Sequence, residues 1–198
     1  MKKIFFIFLF ILSFTFTYAQ RVQYIGDSYF TSNAYINAIN NEIRPTAYNV
    51  IAHVGARISR YTNQQTYGKV RMFRPDVVIV SIGTNSSYHT YNKYQHTAQL
   101  NEFIKNIKYN THRDCKIIFI TPFQNRRAGS INIFAKQCAD NMINICISQN
   151  CYVINAYTMF NNTLYTQHML ARDNVHLTTR GYVYVGRHIG QTIRNILK

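Results

Sequence analysis

Apolar residues gather in five short runs, at residues 22–25, 48–54, 77–82, 116–121 and 152–155. Each is too short for a helix of ordinary length and is rich in Val, Ile, Phe or Tyr, so each predicts a buried strand. The third is entered through Arg74-Pro75-Asp76 and the fourth is stopped by Pro122. Between the runs the apolar positions recur at helical spacing. Residues 96–109 bring Leu100, Phe103, Ile104 and Ile107 to one face, and residues 131–148 do the same with Phe134, Ala135, Cys138, Met142 and Ile145. Residues 31–42, the more polar 59–73, and 179–197 complete the predicted helices. Strands that alternate with helices predict an α/β fold, a parallel sheet covered on both faces. In such a fold, ligands bind beyond the carboxyl ends of the strands.

The first nineteen residues break this pattern. Met1-Lys2-Lys3 is basic, residues 4–16 are nearly all apolar, and Thr17-Tyr18-Ala19 carries small residues three and one positions before Gln20. That layout predicts a secretory signal peptide cut after Ala19. The run falls short of the roughly 20 residues a spanning helix needs. The expected division is therefore a leader over 1–19 and one domain over 20–198, exported or periplasmic and not inserted in a membrane.

Composition refines this in two ways. The formal charge is +15, of which Lys2 and Lys3 supply two, and it arises because only seven residues are acidic. Such a surface suits polyanions, and for an exported chain nucleic acid is not the expected one. Of the four cysteines, Cys138 and Cys146 share one predicted helix at a separation too large to bridge. Cys115 and Cys151 each precede a strand and could meet if those strands are neighbours. Buried free thiols are the other reading. No His/Cys cluster has metal-ligand spacing, and no cofactor or metal is expected.

The chemistry-bearing residues stand at the strand ends. The first strand runs into Gly26-Asp27-Ser28, the second into His53-Val54-Gly55, and the third into Gly83-Thr84-Asn85. Asp173-Asn174-Val175-His176 precedes the last helix. Singly, these are a helix cap, a turn glycine, a polar turn and a loop. Together they supply a hydroxyl, an imidazole with a carboxylate three residues away, and donors that could face a developing anion.

The ordered set resembles the SGNH hydrolases, or GDSL-type esterases, across the whole predicted domain. The resemblance implies a flavodoxin-like three-layer α/β/α sandwich with a central parallel sheet of about five strands. It implies that Ser28 is a nucleophile, His176 its base and Asp173 the residue that orients His176. It assigns the Ser28 N–H, the Gly55 N–H and the Asn85 side chain to an oxyanion hole. Tyr29-Phe30 departs from the smaller residue common after the serine.

The activity so implied is hydrolysis of carboxylic esters, with O-acetyl groups of a carbohydrate as the leading substrate. A lipolytic esterase or thioesterase and a non-catalytic glycan- or polyanion-binding domain are the alternatives. Arg57, Arg126, Arg127 and Arg172 fall on predicted strand-end loops. They either rim a pocket for an anionic substrate or form a solvated basic surface. Tyr29, Tyr88 and Tyr91 are further candidates for the pocket wall.

Overall fold

Along the central strands, successive side chains point to opposite faces, and both faces are buried. In the computed structural model, which describes residues 20–87 and 90–198, the strands are β1 (Arg21–Gly26), β2 (Ala47–Ala52), β3 (Val77–Ser81), β4 (Lys116–Ile120) and β5 (Tyr152–Ile154). The predicted leader lies outside the described residues, as does Tyr88. All four strand pairings are parallel and the order is β2-β1-β3-β4-β5.

Val22, Tyr24, Val77, Ile79, Ile118 and Ile120 pack on one side with helices α1 (Asn33–Ile43) and α7 (Thr179–Leu197). Ile25, Val78, Val80, Ile117 and Phe119 pack on the other with α2 (Gln64–Phe73), α3 (Lys93–Tyr109) and α4 (Ile133–Ser148). The result is the three-layer α/β/α sandwich expected of the sequence. Two short helices, α5 (Ala156–Met159) and α6 (Thr163–Thr166), follow β5. They add Phe160 and Leu164 to the α1–α7 side of the core.

The chain leaves β1 for β2 on one side and returns across β1 to β3 on the other. The strand order therefore reverses at β1, and a crevice opens at the carboxyl ends of β1 and β3. Helix termini are set by side-chain caps: Asn63, Asn92, Asn132 and Thr178 accept backbone N–H groups at the starts of α2, α3, α4 and α7.

The four cysteines are free. β4 and β5 are neighbours, but the register sets Ile118 against Tyr152, so Cys151 lies level with Ile117 and two residues along from Cys115. That offset rules out the Cys115–Cys151 pairing in this structure. Burial raises the Cys115 thiol to about 12. Among the described residues no group of three or more His, Cys, Asp or Glu is placed to hold a metal ion. No helix among them is long and apolar enough to cross a membrane.

Candidate active site

Gly26 closes β1 where no side chain fits: a Cβ there would lie 2.4 Å from the Ser81 carbonyl oxygen and 2.7 Å from the Phe30 ring. The Asp27 N–H donates to that same carbonyl (3.1 Å), tying the end of β1 to β3. The chain then enters a 3₁₀ turn, Ser28–Thr31, capped by Asp27, whose Oδ1 accepts the Tyr29 N–H at 3.2 Å. Ser28 is thereby held at the tip of the strand, 7% exposed.

Asp27 is fully buried. Burial raises its carboxyl to about 7, partly offset by hydrogen bonds from the Tyr29 and Asp27 N–H groups. Its Oδ2 has no hydrogen-bond partner among the described residues. Asp27 is thus a structural cap whose second oxygen is neutral when it carries the proton.

The loop before α7 brings His176 to the serine. Its Nε2 lies 2.8 Å from Ser28 Oγ and its Nδ1 lies 2.6 Å from Asp173 Oδ2. The other Asp173 oxygen accepts the N–H groups of Val175 and His176, both at 2.9 Å. Burial pushes the Asp173 carboxyl up, but hydrogen bonds from the His176 ring and from those two N–H groups outweigh it and hold it below its ordinary value. An ionised Asp173 can only accept, so Nδ1 carries the imidazole proton and Nε2 is left to accept from the Ser28 hydroxyl.

The loop is fixed on several sides. The Ala171 N–H donates to the His176 carbonyl (2.7 Å), Thr178 N–H to Met169 (2.8 Å), and Arg126 N–H to Asn174 (3.1 Å). Asn174 takes up the left-handed conformation the turn needs.

The predicted anion donors lie on the loops after β2 and β3, the strands on either side of β1. Gly55 has φ +72°, open to glycine without strain. Among the described residues nothing accepts its N–H. The Asn85 side-chain amide donates to the Ala56 carbonyl at 3.1 Å. Because β1 lies between β2 and β3, this bond spans the end of the strand that carries Ser28. Loops after three adjacent strands and the loop before α7 therefore meet at the carboxyl end of the sheet.

The predicted substrate-binding residues divide. Tyr29 is 1% exposed, and its hydroxyl donates to the Val175 carbonyl at 2.6 Å. Its expected place in the pocket wall is corrected: inside the 3₁₀ turn its ring points into the core, and it braces the His176 loop from beneath. Arg126 is engaged too, its guanidinium 3.8 Å over the Tyr165 ring and donating to Asn162. Arg127 is half-buried, while Arg57 and Arg172 are exposed. Sequence reasoning passed over His96, which is buried beside Tyr91, Cys138 and Asn141 next to the Asn85 turn. Its only signal was a polar residue within an apolar helix face.

Comparisons with known proteins bear on this site. The family described as GDSL-like lipase/acylhydrolase matches residues 13–184. No curated protein matches the chain. Among solved structures, a lipase/acylhydrolase from Enterococcus faecalis is 18% identical with a TM-score of 0.70, over 89% of this chain and 96% of that one. A catalytic mutant of Axe2, an acetylxylan esterase from Geobacillus stearothermophilus, is 17% identical with a TM-score of 0.67, over 86% and 92%. The acetyl xylan esterase AlAXEase is 18% identical with a TM-score of 0.72, over 87% and 99%. At these identities the likeness is one of fold.

Proposed function

The chain belongs to the GDSL-like lipase/acylhydrolase family and is a carboxylic ester hydrolase, and from that premise we propose that it removes O-acetyl groups from a carbohydrate with Ser28 as nucleophile. The observation that carries this reading is the relay from Asp173 through His176 to Ser28 Oγ.

Ser28 Oγ attacks the acyl carbon while His176 Nε2 takes the hydroxyl proton. Asp173, ionised and accepting from Nδ1, stabilises the imidazolium so formed. The carbonyl oxygen becomes an oxyanion facing the Ser28 and Gly55 N–H groups and the Asn85 amide. Collapse breaks the bond to the alcohol, which takes the proton from His176. Water then repeats the sequence on the acyl-serine and releases acetate. Acetylated sugars are favoured by the acetylxylan esterases among the solved structures of similar fold. The basic, apolar, then small-residue pattern of residues 1–19 supports action outside the cytoplasm.

The test is hydrolysis of p-nitrophenyl acetate, butyrate and octanoate by the protein and by Ser28→Ala. Acetate is expected to be turned over fastest, with kcat lower by several orders of magnitude, on the order of 10⁴ or more, in the variant. Undiminished turnover by Ser28→Ala would remove Ser28 from the mechanism. Preference for octanoate would replace the acetylesterase by the lipolytic reading.

A further inference from the structure

Between the loops that follow β2 and β3 and the start of α3 lies a concavity of about 100 Å³, and each of the nine residues lining it among the described residues carries a polar side-chain group. Its walls continue the loops that hold the anion donors. Arg57 follows Ala56, the residue whose carbonyl takes the Asn85 amide, and Ser86 follows Asn85. The opposite wall is the start of α3, with Gln95 and Gln99, and Tyr91 just before it.

The floor is preorganised. His96, 3% exposed, meets the Tyr91 hydroxyl at 3.1 Å and the Asn141 amide at 3.2 Å through Nδ1, and faces Cys138 Sγ at 3.6 Å through Nε2. Burial lowers the His96 imidazole to about 4, so it is neutral at ordinary pH. Among the described residues Arg57 is then the one charged side chain lining the pocket. No carboxylate among them pairs with it.

This lining discriminates between the two halves of an ester. An acyl chain placed here would strip water from amides and hydroxyls and return no hydrogen bonds. Sugar hydroxyls donate and accept, and so match the amides of Gln95 and Gln99. A guanidinium with no carboxylate of its own is suited to a carboxylate brought by the ligand.

We propose that this pocket is a subsite for a carboxylate-bearing sugar unit on the alcohol side of the substrate, with Arg57 pairing with the carboxylate and the α3 amides taking hydroxyls. It rests on the esterase reading for its place in turnover, and it makes the enzyme one that acts on acetylated acidic glycans.

The test compares an acetylated oligogalacturonide with an acetylated xylo-oligosaccharide and p-nitrophenyl acetate. Two variants each remove one positive charge: Arg57→Gln in the pocket, and Arg113→Gln in the exposed turn before β4, at the opposite end of the strands. Wild type is expected to show the lower KM for the acidic oligosaccharide. Arg57→Gln should raise that KM about tenfold relative to the other two substrates, as for one partly exposed charge-assisted contact. Arg113→Gln should leave it unchanged.

Calorimetry with the deacetylated oligogalacturonide reads the subsite without turnover, and Arg57→Gln should weaken binding by a similar factor. Equal effects of the two variants, or no binding of the acidic oligosaccharide, would overturn the subsite. Failure to hydrolyse p-nitrophenyl acetate would instead overturn the esterase reading and leave the binding result to stand or fall alone.

Discussion

Two aspartates near Ser28 are driven in opposite directions by their surroundings. Asp173 is met by three donors and held below its ordinary value, while Asp27 is closed off from water and raised to about 7. The second shift is a statement about stability. The folded protein binds the Asp27 proton more tightly than the unfolded chain, whose carboxyl titrates near 4. The stabilisation this gives is complete below about pH 4 and is lost as pH rises through about 7. Asp27→Asn keeps an oxygen to accept the Tyr29 N–H and has no proton to lose. Its added NH₂ shifts stability by the same amount at every pH, so the comparison between pH values is unaffected. Urea midpoints at about pH 5 and about pH 8 should fall further for wild type than for Asp27→Asn. Parallel behaviour of the two proteins would mean that Asp27 does not titrate in this range.

The elements carry the site through contacts that no single residue type announces. The Tyr29 hydroxyl links the turn after β1 to the loop before α7, buried at both ends. Tyr29→Phe keeps the ring and leaves the Val175 carbonyl without its donor, at a cost of about 1–3 kcal/mol. The denaturation midpoint should drop accordingly, and kcat should fall as the His176 loop loses its brace. A variant with wild-type stability and kcat would show that the backbone bonds from Ala171, Thr178 and Arg126 suffice.

This contact also marks where the sequence stops being readable. All five strands and five of the seven helices follow from hydrophobic period, because burial on one or two faces imposes it. The predicted first helix begins two residues early because Asp27 caps a separate 3₁₀ turn ahead of it. The second is shortened because Asn63 restarts the chain as α2. α5 and α6, four residues each, are too short to display a period. The order of Ser28, Gly55, Asn85 and His176 along the chain was legible as a family pattern. The inward aim of Tyr29 was not, since neither strand nor helix period applies within such a turn.

At the scale of the whole molecule, the charge adds a long-range term to these local contacts. Lys and Arg outnumber Asp and Glu by 22 to 7, so the molecule as a whole attracts anions through residues far from the site. Contact with Arg57 and attraction by this field are separable by their range. Raising ionic strength from about 0.01 M to about 1 M shortens the Debye length from about 30 Å to about 3 Å, which removes steering but only weakens a direct pair. For an acetylated oligogalacturonide, kcat/KM should therefore fall steeply with salt, while that for p-nitrophenyl acetate stays level. In Arg57→Gln the starting value is lower but most of the salt slope should persist, because the remaining cations still draw the polyanion in. If the slope vanished with Arg57 alone, attraction would be local to the pocket, and the basic surface elsewhere would serve solubility rather than capture.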